Sequence, residues 1–330
     1  MRIAWERLTK NLTHSLCHSA HLHYLCIMNV RELLFLVLCT ALFGACSHGD
    51  SERILRQAET VVQEQPDSAI SLLQTIDRHS LGSEREARFC LLYTMAQDKC
   101  LIEVSSDSLL RIAYDYYRRH ERDTLAARAY LYMGRFYARC DSTKLAASCM
   151  QQSRQLARHR QDHYTEYLAL DGLWRVVAIG DPHQALAYAQ EAYWLYENQC
   201  TPNISNKVYL LLGIAHCHNL CNETDSALHY ARTALPLAES IDDTAPLANV
   251  YQNFAVINEK TEEYDSALVY SKKAWETAPV KAISRMQNLA TSYQNADSLK
   301  QAMHYYEMVA EQGNNTTGMR NTAGMRRTAR

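Results

Sequence analysis

The chain has 330 residues, which is long enough to bury a sizeable core. Its formal net charge is −2, and a chain that is not basic gives no reason to expect nucleic-acid binding. It contains only 10 Gly and 6 Pro, whereas β-rich folds need many turn residues. The composition therefore favours an all-α fold.

Residues 28–50 contain an apolar run that a Cys follows directly. An apolar run from Leu33 to Ala45 is too short to span a bilayer but has the length of a signal-peptide core. It ends in Leu42-Phe43-Gly44-Ala45-Cys46, which resembles the lipobox, where small residues precede a Cys that becomes lipidated. We predict a lipoprotein signal peptide at 28–45, lipidation of Cys46, a tether at 46–50, and an untranslated or leader extension at 1–27.

Two other interpretations of this leader stay open, an ordinary signal peptide and a buried helix. The lipobox resemblance implies a cell-envelope protein that an N-terminal lipid, such as palmitate, holds in a membrane. It does not decide between the inner and the outer membrane.

Amphipathic helices are predicted from Ser51 onward. Apolar residues recur there at spacings of three and four, namely Ile54, Leu55, Ala58, Val61 and Val62. About seven helix pairs are predicted between 51 and 310, separated by breaks such as Gly180-Asp181-Pro182. Residues 311–330 lose this period, and we expect them to be disordered.

Two near-copies of one segment, Asp225–Leu235 and Asp265–Trp275, reveal a repeat. Each begins with Asp-Ser, which we expect to cap a helix N-terminus. Each then places two Ala residues seven apart, on one helical face that a second helix can approach closely. The same register recurs at Ala185 and Ala302, giving intervals of 42, 40 and 35 residues. Self-similarity in this range indicates a helical solenoid.

A second helix precedes each of these segments, with a small residue twelve positions before the Ala. The pairs are Gly134 with Ala146, Ala255 with Ala267, and Ala290 with Ala302. This pattern, with aromatic Tyr137 and Tyr293 three residues further on, resembles the tetratricopeptide repeat, over roughly residues 51 to 310. The resemblance implies a right-handed α-solenoid of helix pairs. Two units depart from the pattern, with Leu173 at the eighth repeat position and with fourteen residues between Gly213 and Ala227.

In that family, positions two, six, nine and thirteen of the first helix line a concave groove. Counted from Gly134 as position eight, they are Arg128, Tyr132, Arg135 and Arg139. Their spacing also puts them on one helical stripe independently of the family. Three guanidiniums around a phenol suit a carboxylate or an acidic peptide. The alternative is a solvated basic face.

Amide side chains occupy the corresponding positions further along the chain. Position six is Asn253 and then Asn288, and Asn249, Gln252 and Gln287 lie nearby. Family members that clamp extended peptides often use Asn at position six, because its amide can both donate to and accept from a peptide bond. The alternative is polar filler on a wet surface.

Other functions find less support in the sequence. It has no phosphate-binding Gly loop, no Gly-x-Ser-x-Gly and no His-Glu-x-x-His, so we expect neither an enzyme nor a cofactor. The one metal-like cluster is His216-Cys217-His218-Asn219-Leu220-Cys221, in which Cys217 and Cys221 share a helical face and could hold zinc or copper. A fourth ligand is missing from the local sequence, so no metal is predicted. A glycan-binding lipoprotein with embedded repeats remains the main alternative. Trp174 at position nine would then face the groove, whereas Trp194 and Trp275 are expected to pack between helices.

The sequence thus predicts a lipid-anchored tetratricopeptide-like scaffold without catalytic activity. We expect a protein or peptide partner in its groove, of acidic character if the arginine stripe contacts it, and a role in envelope signalling or regulation. Nucleic acid is not an expected partner.

Overall fold

The computed structural model describes residues 50–102 and 106–312 and divides at residue 105 into two compact units. The described residues form fourteen α-helices and no strand. Unit one contains α1 (50–61), α2 (Pro66–Leu73), a 3-10 turn (Arg78–Ser80) and α3 (Ser83–Lys99). Unit two contains α4 (Ser108–Tyr117), α5 (Ala126–Arg139), α6 (Thr143–His159), α7 (His163–Val177), α8 (Pro182–Gln199), α9 (Ile204–Leu220), α10 (Thr224–Glu239), α11 (Thr244–Lys260), α12 (Tyr264–Thr277), α13 (Ile283–Asn295) and α14 (299–312). The all-α solenoid predicted from the repeat is confirmed.

In unit one, the amphipathic pattern produces the expected buried stripe. Leu55 and Ala58 of α1 are fully buried, as is Val62 just after that helix. Arg88 of α3 reaches back to α1, where its Nη2 lies 2.5 Å from Glu59 and its Nη1 lies 3.0 Å from Glu52. These ion pairs join the first and third helices of the unit.

In unit two, each helix packs against the next one along the chain, and the first helices of successive pairs also touch. We call α5, α7, α9, α11 and α13 the A helices, and α6, α8, α10, α12 and α14 the B helices. Contacts between A helices join α5 to α7, α9 to α11, and α11 to α13. This arrangement places the A helices side by side in one layer.

Small residues permit the close packing within each pair, as the repeat predicts. The first Ala of each B-helix motif is almost or completely buried, namely Ala146, Ala185, Ala227, Ala267 and Ala302. A Cβ at Gly134 would lie 3.2 Å from the carbonyl oxygen of Ala146 and 2.8 Å from Cγ of Met150. The eighth and twentieth repeat positions are therefore in direct contact in the α5–α6 pair.

The predicted capping role of the repeated Asp-Ser segments is wrong. The N-caps of α10 and α12 are Glu223 and Glu263, so Asp225 and Asp265 lie in the first turn. In the first turn, the negative charge of these Asp side chains interacts favourably with the partial positive charge of the helix N-terminus. Side-chain caps occur instead at loop residues, where Asp162, Asp181, Asn203 and Asp243 accept backbone N–H groups.

The fourteen-residue spacing between Gly213 and Ala227 results from counting the wrong small residue as position eight. The fully buried Ala215, twelve residues before Ala227, occupies the eighth position of α9. Seven residues later, Asn222 has a φ of 63°. The residue at this place in three other turns is also left-handed, with φ of 55° at Asp141, 61° at Glu262 and 54° at Asp297. Four of the five pairs therefore share one turn geometry.

Several predicted segments lie outside the described residues: 1–27, 28–45, Cys46 with the tether to residue 49, and 313–330. Helix α14 continues to residue 312, two residues past the predicted end of the solenoid. None of the helices in the described ranges has the length and apolarity that a membrane span requires.

Candidate functional site

One surface of unit two is formed by repeat positions two, six, nine and thirteen of the A helices, and we call it the A-helix face. With Ala215 at position eight of α9, its members are Arg128, Tyr132, Arg135, Arg139, Tyr167, Asp171, Trp174, Ala178, Tyr209, Gly213, His216, Leu220, Asn249, Asn253, Val256, Lys260, Ser284, Asn288, Thr291 and Asn295. Arg and Lys occupy four of these positions, Asp one and Glu none. This face is therefore basic although the whole chain has a net charge of −2.

The predicted arginine stripe lies on α5. Arg139 is exposed, while Arg128 and Arg135 are half-buried. Nε of Arg128 lies 4.0 Å from a carboxylate oxygen of Asp162, which partly balances its charge. Tyr132 is only 4% exposed, and the guanidinium of Arg135 lies 5.1 Å from the centre of its ring. Tyr132 thus supports Arg135 through a cation–π contact instead of presenting its own ring to solvent.

At the centre of the face, Trp174 connects α7 to α9. A Cβ at Gly213 would lie 3.0 Å from Cζ2 of the indole, and the His216 ring centroid is 5.9 Å from the indole centroid. The indole Nε1 donates to Asp171 at 2.9 Å. Arg175 binds the same carboxylate, and its guanidinium lies 4.5 Å from the centre of the Trp174 ring. Glycine at position 213 is what allows this close approach.

This packing bears on the glycan-binding alternative. Trp174 is 5% exposed, so it does not offer a stacking platform to a sugar. Trp194, expected to pack, is instead 59% exposed on α8, and that expectation is wrong. Trp275 is half-buried against Tyr305, with ring centroids 6.2 Å apart, consistent with packing.

His216 lies between cations of two neighbouring A helices. Burial is the main cause that lowers its pKa below the ordinary value of 6.5, and the positive charges of Arg175 and Lys260 lower it further. The ammonium of Lys260 also donates to the carbonyl oxygen of Asn219. Two cations therefore act on His216, and the carboxylate of Asp171 balances the charge of one of them, Arg175.

The amide residues predicted for the far end are partly engaged with each other. Oδ1 of Asn249 accepts from Nη2 of Arg285 at 3.0 Å, and Nδ2 of Asn253 donates to the carbonyl oxygen of Asn249 at 3.2 Å. Oε1 of Gln252 is buried without a hydrogen-bond partner among the described residues. Gln287 is exposed and Asn288 is half-buried. The structure thus brings Asn249 and Asn253 together on α11 and places Gln287 and Asn288 on α13.

Sequence reasoning did not assign His216, Lys260, Arg175 or Arg285 to the candidate site. His216 follows once Ala215 is taken as position eight, because it then falls at position nine. Lys260 is position thirteen counted from Ala255, so the repeat pattern already contained it. Arg175 and Arg285 lie just outside the four counted positions. Their roles depend on contacts between helices.

The two cysteines of the metal alternative lie in different surroundings. Cys217 is fully buried, and burial is the main cause that raises the pKa of its thiol to about 12. Sγ of Cys221 lies 3.6 Å from Nδ1 of His183. Within the described ranges, no group of three His, Cys, Asp or Glu residues is arranged to hold a metal ion.

Comparison with known proteins supports the fold. No family model matches the chain. A segment of 112 residues is 28% identical to the transcriptional activator NprA of Geobacillus stearothermophilus, a match that covers 34% of this chain and 26% of that protein. The structure is also similar to solved helical-repeat proteins. The chain has a tetratricopeptide-like fold.

Three solved structures illustrate the similarity. A Rap protein complexed with Competence and Sporulation Factor has a TM-score of 0.65 at 16% identity, covering 80% of this chain and 76% of that one. NprR in complex with its cognate peptide NprX has a TM-score of 0.62 at 15% identity, covering 82% and 79%. Aspartyl phosphate phosphatase F of Bacillus subtilis has a TM-score of 0.55 at 14% identity, covering 93% and 88%. At these identities the likeness concerns the fold alone.

Proposed function

We propose that this protein is a non-enzymatic scaffold that binds an acidic peptide or an acidic segment of a protein along its A-helix face. The observation that carries the proposal is the charge distribution of that face, with four cations and one carboxylate among its twenty positions. An extended anionic segment would gain favourable Coulomb energy along its length there. The complex of NprR with its cognate peptide supports the proposal by analogy of fold.

The face offers two kinds of contact to such a segment. Arg135 and Arg139 at one end can grip carboxylates, because guanidinium N–H groups match carboxylate geometry. At the other end, Asn288 can pair with a peptide bond as donor and acceptor together. The arginine end would therefore select acidic side chains, and the amide end would hold the backbone without regard to sequence.

A displayed library of random peptides tests this proposal. The protein would be compared with a variant carrying Arg128→Gln, Arg135→Gln and Arg139→Gln. A matched control would carry Arg53→Gln, Arg56→Gln and Lys300→Gln, which remove the same charge from exposed residues elsewhere. We expect selected peptides rich in Asp and Glu to bind the first variant at least about tenfold more weakly and the control unchanged. Selected peptides without acidic residues, or equal binding to both variants, would contradict the proposal.

We also propose that Cys46 anchors the protein to an envelope membrane, where the scaffold would serve signalling or regulation. The support is the sequence from Leu42 to Cys46 and its likeness to a lipobox. Metabolic labelling with an alkyne-tagged palmitate would test it. Labelling of the protein but not of its Cys46→Ser variant is expected. Equal labelling of both, or of neither, would refute the anchor.

A further inference from the structure

A pocket lies between the B helices α6 and α8. Its volume is about 500 Å³, and its lining is polar: Gln151, Arg154, Gln155, Arg158, His159, Gln161 and Tyr188. None of these residues belongs to the A-helix face. A volume of this size suits an amino acid or another small metabolite.

Two arginines of α6 in this pocket share a single carboxylate. Nη2 of Arg154 lies 2.5 and 2.7 Å from the two oxygens of Glu191 on α8, and Nη2 of Arg158 lies 2.7 Å from one of them. Nε of Arg158 donates at 2.6 Å to Glu166, which is almost fully buried. Glu191 therefore shows that a carboxylate fits between the two guanidiniums.

The two guanidiniums still have more donors than these carboxylates accept. Nε of Arg154 is buried and has no hydrogen-bond partner among the described residues. The side chain of Arg154 is 22% exposed and that of Arg158 is 56% exposed, so the outer guanidinium is open to a ligand. Nε of Arg154 is itself inaccessible, so the donors that a ligand with acceptor oxygens can reach are those of the exposed Arg158.

The remaining lining limits what such a ligand can be. The guanidinium of Arg154 lies 5.7 Å from the centre of the Tyr188 ring, and this contact helps to hold it in place. The exposed amides of Gln151, Gln155 and Gln161 surround the arginines and can donate to further oxygens. We propose that this pocket binds a small carboxylate ligand of dicarboxylic-acid or amino-acid size, with Arg158 as the main anion contact and Glu191 as an internal competitor.

Titration calorimetry with succinate as the probe tests this site, and the uncharged succinamide serves as the matched ligand. We expect saturable binding of succinate and none of succinamide. Arg158→Gln should weaken succinate binding at least about tenfold, because a charge-assisted contact is lost. Arg111→Gln is the control, since Arg111 is also exposed and paired with a carboxylate, at 2.5 Å from Asp107. It should bind succinate as the unaltered protein does.

Glu191→Gln gives a second, independent test. Arg158→Gln also removes the ion-pair partner of the buried Glu166, so its fold must be checked by circular dichroism. Glu191→Gln keeps both arginines and removes the competing carboxylate, so it should bind succinate several-fold more tightly than the unaltered protein. Absence of binding to both the unaltered protein and Glu191→Gln would overturn the proposal, as would equal binding of succinate and succinamide. Failure of this site would leave the peptide proposal for the A-helix face intact.

Discussion

The indole of Trp174 lies against the backbone of Gly213, so that a Cβ at residue 213 would come within 3.0 Å of Cζ2, 3.1 Å of Cε2 and 3.2 Å of Nε1. This contact joins α7 to α9 at the centre of the A-helix face. It also buries the one Trp that occupies a position expected to face the groove. The local geometry of the candidate site therefore depends on a residue without a side chain.

Gly213→Ala should displace the Trp174 indole. Helical Gly→Ala alone favours folding by ~0.5–1 kcal/mol, but here the new methyl group meets a rigid ring, so we expect that gain to be lost and the tryptophan emission to shift. Gly172→Ala is the control, because its Cβ would meet only the flexible end of Met150. If both substitutions stabilise equally in urea unfolding and leave the emission unchanged, the contact does not have the described geometry.

Ala267→Leu should destabilise the α11–α12 pair. Ala267 is fully buried at the position where the two helices approach, so the larger side chain overpacks the contact by ~1–3 kcal/mol. The free energy of unfolding in urea measures this cost. Val269→Leu in the same helix is the control, because Val269 is 51% exposed. Equal effects at the two residues would show that the repeat register is wrong.

His216 should make stability depend on pH. Its folded-state pKa is lowered, first by burial and then by Arg175 and Lys260, so the folded protein binds its proton less readily than the unfolded chain does. The contribution of neutral His216 to the free energy of unfolding is fully present above the unfolded pKa of about 6.5, and it is lost as the pH falls through the folded pKa. The free energy of unfolding should therefore fall less between pH of about 7.5 and 5 in His216→Gln than in the unaltered protein. His229→Gln, an exposed residue on α10, should retain the original slope.

The same imidazole should couple peptide binding to pH, if the A-helix face binds an acidic peptide as proposed. A bound carboxylate near His216 favours the protonated ring and raises its pKa, so affinity should increase as the pH falls from about 7.5 to 6. Fluorescence anisotropy of a labelled acidic peptide at the two pH values measures this. His216→Gln should bind with an affinity that changes little over this interval. An equal increase for the variant would exclude His216 as the cause.

Much of the fold could be predicted from the spacing of small residues, because an Ala or Gly at a helix crossing is a local requirement visible in the chain. The register of α9 was harder, since Gly213 and Ala215 both fit a small-residue position and only the turn at Asn222 distinguishes them. The Asp-Ser segments do not mark the helix starts, for a related reason. Asp stabilises a helix both at the N-cap and in the first turn, so its presence does not determine at which residue the helix begins.

Contacts between A helices could not be predicted from the sequence. The hydrogen bond from Arg285 to Asn249 joins residues 36 positions apart, and its geometry depends on how two helices face each other. The same holds for Trp174 and Gly213. Arg135 and Arg139 could be assigned to one stripe from helical periodicity, but the burial of Tyr132 beneath Arg135 could not.

Locating a bound acidic peptide on the protein tests directly whether the A-helix face is the binding surface. A library-selected acidic peptide with a photoreactive residue would be crosslinked to the full chain, and the modified residues identified by mass spectrometry. We expect crosslinks on the A helices α5, α7, α9, α11 and α13. Arg128→Gln combined with Arg135→Gln and Arg139→Gln should strongly reduce them. Crosslinks confined to the B helices, or to α1–α3 of unit one, would contradict it.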